Sequence, residues 1–276
     1  MLKDEVGTRP DAETLALLRL VEGDASATAP ARRGQATLPA SVLRPPRLVG
    51  REAEIRAADH AWARGQVAAL VGEAGMGRSR LLQHLMPAQG LAVAARPGDA
   101  GVPLSTLARL LRAVAERAPQ AVAAPARQEL ARVLPEWLPE WDSGRAAPGV
   151  GRRLQLQRTV ASVLAGCADL PALALDDLHF AEAASLQLLQ ALLDEAPGPQ
   201  RWALAYRPAE AGSALHALNE SLLDQARLQA VVLAPLDEAA LAALVDSLQL
   251  PGVHGARLAP GLLARTGGNP FTHWKR

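Results

Sequence analysis

The sequence predicts an α/β fold: a five-stranded parallel sheet flanked by helices, followed by the start of a small helical lid. Five short apolar runs, Val67–Val71, Leu91–Ala95, Ala172–Leu175, Trp202–Tyr206 and Leu228–Leu233, have the length and unbroken hydrophobicity of strands buried on both faces. Stretches of helical periodicity lie between them, among them Leu104–Ala115, Gln128–Val133, Leu154–Ala165 and Ala184–Leu193. That alternation implies parallel strands with helices on either side. Composition agrees. Hydrophobic residues make up 49% of the chain, mostly Ala, Leu and Val, and aromatics only 3%, which favours helices on a small sheet over a sandwich or barrel.

The elements group into four segments. Asp11, Glu13 and the apolar positions from Leu15 to Val21 read as one capped amphipathic helix, so residues 1–22 are expected to be the helical tail of an upstream domain. Residues 23–47, with Pro30, Pro39, Pro45 and Pro46 among Ala, Ser, Thr and Gly, read as a linker. The βα pattern fills residues 48–235. After Pro235 the helices Glu238–Leu248 and Leu258–Arg265 begin a further segment, residues 236–276, which the family resemblance carried by five segments of the chain makes a partial helical lid.

Several classes of function are disfavoured. A net charge of +1 supplies no global field to draw the chain to nucleic acid or a membrane, and no direct DNA-binding motif is visible. Cys167 stands alone in an apolar helical stretch and reads as a buried structural thiol. The six histidines show no metal-ligand spacing. No apolar run approaches the ~20 residues needed to span a bilayer. The opening residues Met1 to Glu5 lack the pattern of a signal peptide, so a reduced, cytoplasmic setting is expected.

The strongest chemical signal follows the first strand: Gly72-Glu73-Ala74-Gly75-Met76-Gly77-Arg78-Ser79. It keeps the G-x-x-x-x-G-K-[ST] spacing, with Arg78 in the lysine position. Glycines at Gly72, Gly75 and Gly77 let successive N–H groups curl around phosphate oxygens, and the next helix presents its positive end to the same anion. The Ser79 hydroxyl is suited to ligate Mg2+. The second signal is Pro171 to Asp177, an apolar strand ending in two carboxylates. In the same sheet, Asp176 would reach the metal shared with Ser79, and Asp177 would orient an attacking water. Asp177 is alternatively a cap for a helix starting near Glu182. Together these motifs define a P-loop NTPase with ATP or ADP and Mg2+ as the expected ligands.

Five segments carry a family resemblance: Leu48-Val49-Gly50-Arg51-Glu52, the phosphate loop, Leu175 to Ala181, Tyr206-Arg207-Pro208, and Gly267-Gly268-Asn269-Pro270-Phe271. In order and spacing they resemble the signal-transducing NTPases (STAND) related to the AAA+ class, in their bacterial transcription-regulator branch. The likeness covers about residues 47–276. It implies that Val49 and Arg51 lie over adenine and ribose, and that Gly72 to Ser79 with the adjoining Arg80 bind the phosphates. It implies Walker B roles for Asp176 and Asp177, a γ-phosphate sensor at Arg207, and base packing by Pro270. The family's strand order puts the sensor strand between the two Walker strands. Leu2 to Gly7 and Pro10 to Thr14 also resemble the end of a bacterial transcriptional activation domain.

Two departures qualify the carry-over. Arg78 offers a planar fork where the family has a compact ammonium, so hydrolysis is expected to suffer before binding does. Beyond Pro270 the family continues into helical and sensor domains, where effector recognition is expected to reside. The resulting expectation is an ATP-binding regulatory switch with weak or absent hydrolysis, partnered by other domains or subunits of a regulatory protein. An active ATPase and a nucleotide-free interaction scaffold are the alternatives.

Overall fold

The computed structural model describes residues 47–137, 150–195 and 200–270. The helix expected near Asp11 to Val21, nearly all of the linker, and Phe271 lie outside these residues.

All five strands form where the apolar runs place them: β1 (Val67–Val71), β2 (Leu91–Ala94), β3 (Ala172–Asp176), β4 (Arg201–Tyr206) and β5 (Leu228–Val232). They make one parallel sheet in the order β2-β3-β4-β1-β5. The strand leading to Arg207 therefore separates the strand ending at Asp176 from the one feeding the phosphate loop, as the family order implied.

Helices α1 (Glu52–Ala63), α2 (Arg78–Leu85), α3 (Ser105–Arg117), α4 (Ala124–Leu130), α5 (Val150–Ala165), α6 (Ala183–Glu195) and α7 (Ser213–Asp224) accompany the sheet, and α8 (Glu238–Ser247) and α9 (Gly255–Thr266) form the lid. No helix among the described residues is long and apolar enough to cross a membrane.

Strand alternation explains the layering. Val67, Ala69, Leu173, Leu175, Trp202 and Leu204 face a large cluster shared with α3, α5, α6 and α7. The opposite face presents small side chains, Ala68, Ala174, Ala203 and Ala205, together with Leu70. These alanines leave room for α1 and α2, which contribute Ala58, Ala61 and Trp62, and Leu81 and Leu82. Trp62 anchors α1 with its indole N–H donated to the Trp202 carbonyl at 2.9 Å. The helix that precedes β1 and the phosphate loop is thereby seated on the sheet. A third, smaller cluster holds the lid together around Leu236, Leu241, Leu244 and Ala259. Asp237 caps α8 by accepting the Ala240 N–H at 2.7 Å.

One buried polar network braces the C-terminal edge of the sheet beside β3. Arg109 donates two bonds to Asp99, at 2.7 and 2.8 Å, and one to the Ala94 carbonyl at 3.0 Å. Thr106 bridges Asp99 to Glu182, whose carboxylate also takes the Ser185 N–H and caps the start of α6. Helix capping after β3 thus belongs to Glu182, which frees Asp177 for the site.

The Arg109 guanidinium holds the Asp99 carboxyl down to about 2, against an ordinary 3.8. A carboxyl lowered by folding stabilises the fold above its unfolded pKa, and that stabilisation is lost as pH falls through the folded one. Arg109→Met should cost about 2–3 kcal/mol at neutral pH, because it strands a buried carboxylate. Denaturant melts of the two proteins should converge as pH falls from 3.8 towards about 2. A constant gap across that window would show that the ion pair is not the cause.

Candidate nucleotide-binding site

The phosphate loop runs from the end of β1 to the start of α2, and four of its carbonyls are held by side chains. Arg78 turns back into the loop, where one guanidinium nitrogen donates to the Gly72 carbonyl and, at 2.9 Å, to the Glu73 carbonyl. Asn269 from the lid donates to the Ala74 carbonyl at 2.8 Å. Arg51, ahead of α1, donates to the Met76 carbonyl at 2.9 Å, and also to Ala234 and Glu54, each at 2.7 Å. Gly77 has φ +89, a conformation that costs a side-chain-bearing residue, and it starts α2 in the orientation the loop requires. Among the described residues no protein acceptor takes the N–H of Gly75 or Gly77. A loop with carbonyls engaged and N–H donors uncommitted fits a polyphosphate.

The two carboxylates after β3 meet this loop from across the sheet. Asp176 accepts a hydrogen bond from the Ser79 hydroxyl, so the two residues expected to share Mg2+ are already neighbours. Burial pushes its carboxyl above the ordinary value, while the Ser79 hydroxyl pulls the other way. A divalent cation would relieve that cost directly. Asp177 adopts a left-handed backbone, φ +52, and donates its N–H to Asp176 at 2.8 Å. That turn brings the Asp177 carboxylate within 3.4 Å of the Arg78 guanidinium.

Residues 47–204, more than half of the chain, match the AAA ATPase domain. The chain belongs to that family. It is a P-loop NTPase module. The Walker-type ATPase PABY2304 of Pyrococcus abyssi is similar in structure, with a TM-score of 0.48 and 13% sequence identity. That alignment covers 81% of this chain and 65% of the other, so the chain spans about two thirds of that protein's structure. No curated protein matches the chain.

The AAA ATPase domain match ends before Arg207, and the structure places that residue in a side cluster. Arg207 pairs with Glu210 at 2.7 Å and lies over the Phe180 ring, 6.0 Å from its centre. His179 is fully enclosed, with Nε2 at 3.5 Å from Glu210 and 3.9 Å from Asp177. Burial lowers its pKa, which favours a neutral imidazole packed on Phe180. Glu210 was not singled out in the sequence. Its i,i+3 spacing from Arg207 was the available signal.

Of the remaining candidates, Val49 packs into the lid cluster and Pro270 follows Asn269, half-buried. Arg80 is exposed on the first turn of α2. Arg51, expected over the ribose, is buried at 3% exposure with its guanidinium bonded to the loop and to the Ala234 carbonyl just ahead of the lid. In the sequence, Asn269 is marked only by its place in the segment Gly267-Gly268-Asn269-Pro270-Phe271.

Proposed function

We propose that this module binds Mg·ATP as the switch of a bacterial transcriptional regulator of the STAND type, with weak or absent hydrolysis. The observation that carries the reading is the phosphate loop itself: N–H donors with no protein acceptor among the described residues, beside a serine hydroxyl and a half-buried carboxylate already in contact. Gly72 to Ser79 hold the polyphosphate, and Ser79 with Asp176 holds the Mg2+. Bound Mg·ATP supplies the γ-phosphate whose presence or absence is the signal. Val49 and Pro270 flank the base from the two sides of the lid junction, and Arg207 answers to the γ-phosphate once it leaves Glu210. Weak hydrolysis follows from Arg78, whose charge is shared between loop carbonyls and Asp177, the carboxylate that would orient water.

Support for the regulatory setting comes from the five spaced sequence segments and from the N-terminal likeness to an activation domain. The buried, unpaired thiol of Cys167 fits a reducing, cytoplasmic setting.

The test is whether the purified protein carries nucleotide. Denaturing it and chromatographing the supernatant should release ATP or ADP. If none is found, adding Mg·ATP should still raise the melting temperature. Protein that is nucleotide-free and thermally indifferent to Mg·ATP would refute the assignment.

A further inference from the structure

The phosphate loop is wired to the lid through its carbonyls. In a planar trans peptide, the C=O of one residue and the N–H of the next point in opposite directions. Pinning a carbonyl on one side of the loop therefore aims the following N–H to the other side. Arg51 does this at Met76 and so orients the Gly77 N–H, while Asn269 does it at Ala74 and orients the Gly75 N–H. Both are among the loop N–H groups for which the described residues offer no protein acceptor.

The side chain of Asn269 is held by the lid in a defined place. The Leu236 N–H donates to the Gly268 carbonyl at 2.8 Å, and the Gly267 N–H closes α9 on the Leu263 carbonyl at 2.8 Å. Gly268 has φ +80, and a β-carbon there would collide with the Leu236 carbonyl. The lid thus rests on the segment leaving β5 with no slack, and Asn269 projects from that seat to the loop.

We propose that Asn269 is a positioning residue for phosphate binding, by which the seating of the lid sets the anion affinity of the loop. The inference rests on the nucleotide-binding reading and assigns the coupling between loop and lid to one side-chain amide. It makes the lid a participant in binding the phosphates, independently of any contact with the base. An undocked lid releases the Ala74 peptide to rotate, and the Gly75 donor loses its aim. Conversely, an anion that fixes the Gly75 N–H stabilises the docked lid, because a coupling between two sites is reciprocal.

Inorganic tripolyphosphate separates this role from base recognition, since it has phosphates and no adenosine. Calorimetric titrations with tripolyphosphate and with ATP would compare the unmodified chain, Asn269→Ala and Asn269→Gln. The proposal expects Asn269→Ala to weaken both ligands by about the same factor, near tenfold, the scale of one well-placed hydrogen bond. Asn269→Gln keeps the amide and should recover most of the loss. Amide exchange should show α8 and α9 gaining protection on tripolyphosphate binding in the unmodified chain and not in Asn269→Ala.

A loss confined to ATP would overturn the proposal, since Asn269 would then act on the nucleoside. Unchanged affinity for both ligands in folded Asn269→Ala would overturn it as well. A purely structural role would lower the melting temperature of Asn269→Ala while leaving tripolyphosphate affinity intact, which counts as the same refutation. Failure of the unmodified chain to bind either ligand would show itself before any variant is compared, and would remove the nucleotide reading along with this one.

Discussion

Asp176→Ala is expected to remove most of the magnesium dependence of ATP binding while leaving metal-free ATP binding close to that of the unmodified protein. Mg2+ holds its waters tightly and is retained by one or two protein oxygens plus the phosphates, so a single carboxylate carries a large share of the protein's grip. The expected loss in Mg·ATP affinity is about 10- to 100-fold, the scale on which metal sites respond to a lost carboxylate partner. The structure adds a pH signature. Burial raises the Asp176 carboxyl above its ordinary 3.8, and the ion binds only the deprotonated form. Mg·ATP affinity should therefore decline with falling pH at values above those where an exposed aspartate titrates. In Asp176→Ala that part of the decline should vanish. Titrations with and without Mg2+, repeated across pH, would measure both effects. Equal losses in the presence and absence of the metal would dissociate Asp176 from the ion.

The parts of this molecule that a sequence shows are those whose reason is local. The strands β1, β3 and β4 are unbroken apolar runs because both faces of the sheet are covered, and their bounds agree with the sequence reading to within a residue. The phosphate loop is equally local: its glycines, its serine and its following helix are contiguous.

The apolar pattern puts helix α4 late, at Gln128–Val133, because its apolar residues cluster at the end. It starts at Ala124, with Pro125 in the first turn, where a proline costs nothing. Helix α1 leaves little trace in the sequence because the face it buries is made of Ala58, Ala61 and Trp62, too slight an apolar stripe to stand out. What the sequence hid were the long-range partners. The bond from Asn269 to Ala74 spans 195 residues, and the one from Arg51 to Met76 spans 25. Neither residue type announces such a role, since an arginine before a helix and an asparagine before a proline are ordinary surface and turn residues. The same holds for Arg78. The substitution was plain in the sequence, but its engagement with two carbonyls and Asp177 could come only from the fold.

That engagement leads to the largest functional effect expected. The unmodified protein should bind Mg·ATP and turn it over negligibly, whereas Arg78→Lys should bind more tightly and hydrolyse slowly but measurably. Phosphoryl transfer is accelerated mainly by charge placed accurately around the γ-phosphate, so a cation committed elsewhere harms the transition state more than the ground state. Arg78 is 6% exposed and its guanidinium is spent on Gly72, Glu73 and Asp177. To reach a phosphate it must give up those bonds, and its buried Nε–H already lacks a partner. Lysine, with one compact ammonium and no planar fork, can turn to the ligand and leaves Asp177 free to orient water. Restoring one preorganised charge in a site of this kind is worth on the order of 100- to 1000-fold in rate.

Binding by the unmodified chain survives because the loop N–H groups and the start of α2 do not depend on residue 78. At ~100 times its dissociation constant the ligand should stabilise the fold by about 2.7 kcal/mol, enough for a melting shift of several degrees. Phosphate release under multiple-turnover conditions, set beside melting curves with and without Mg·ATP, separates the outcomes. Brisk turnover by the unmodified protein would show that Arg78 leaves Asp177 on demand, and the impaired-switch reading would fall. No melting shift with either Arg or Lys at position 78 would instead favour a scaffold that has lost its nucleotide.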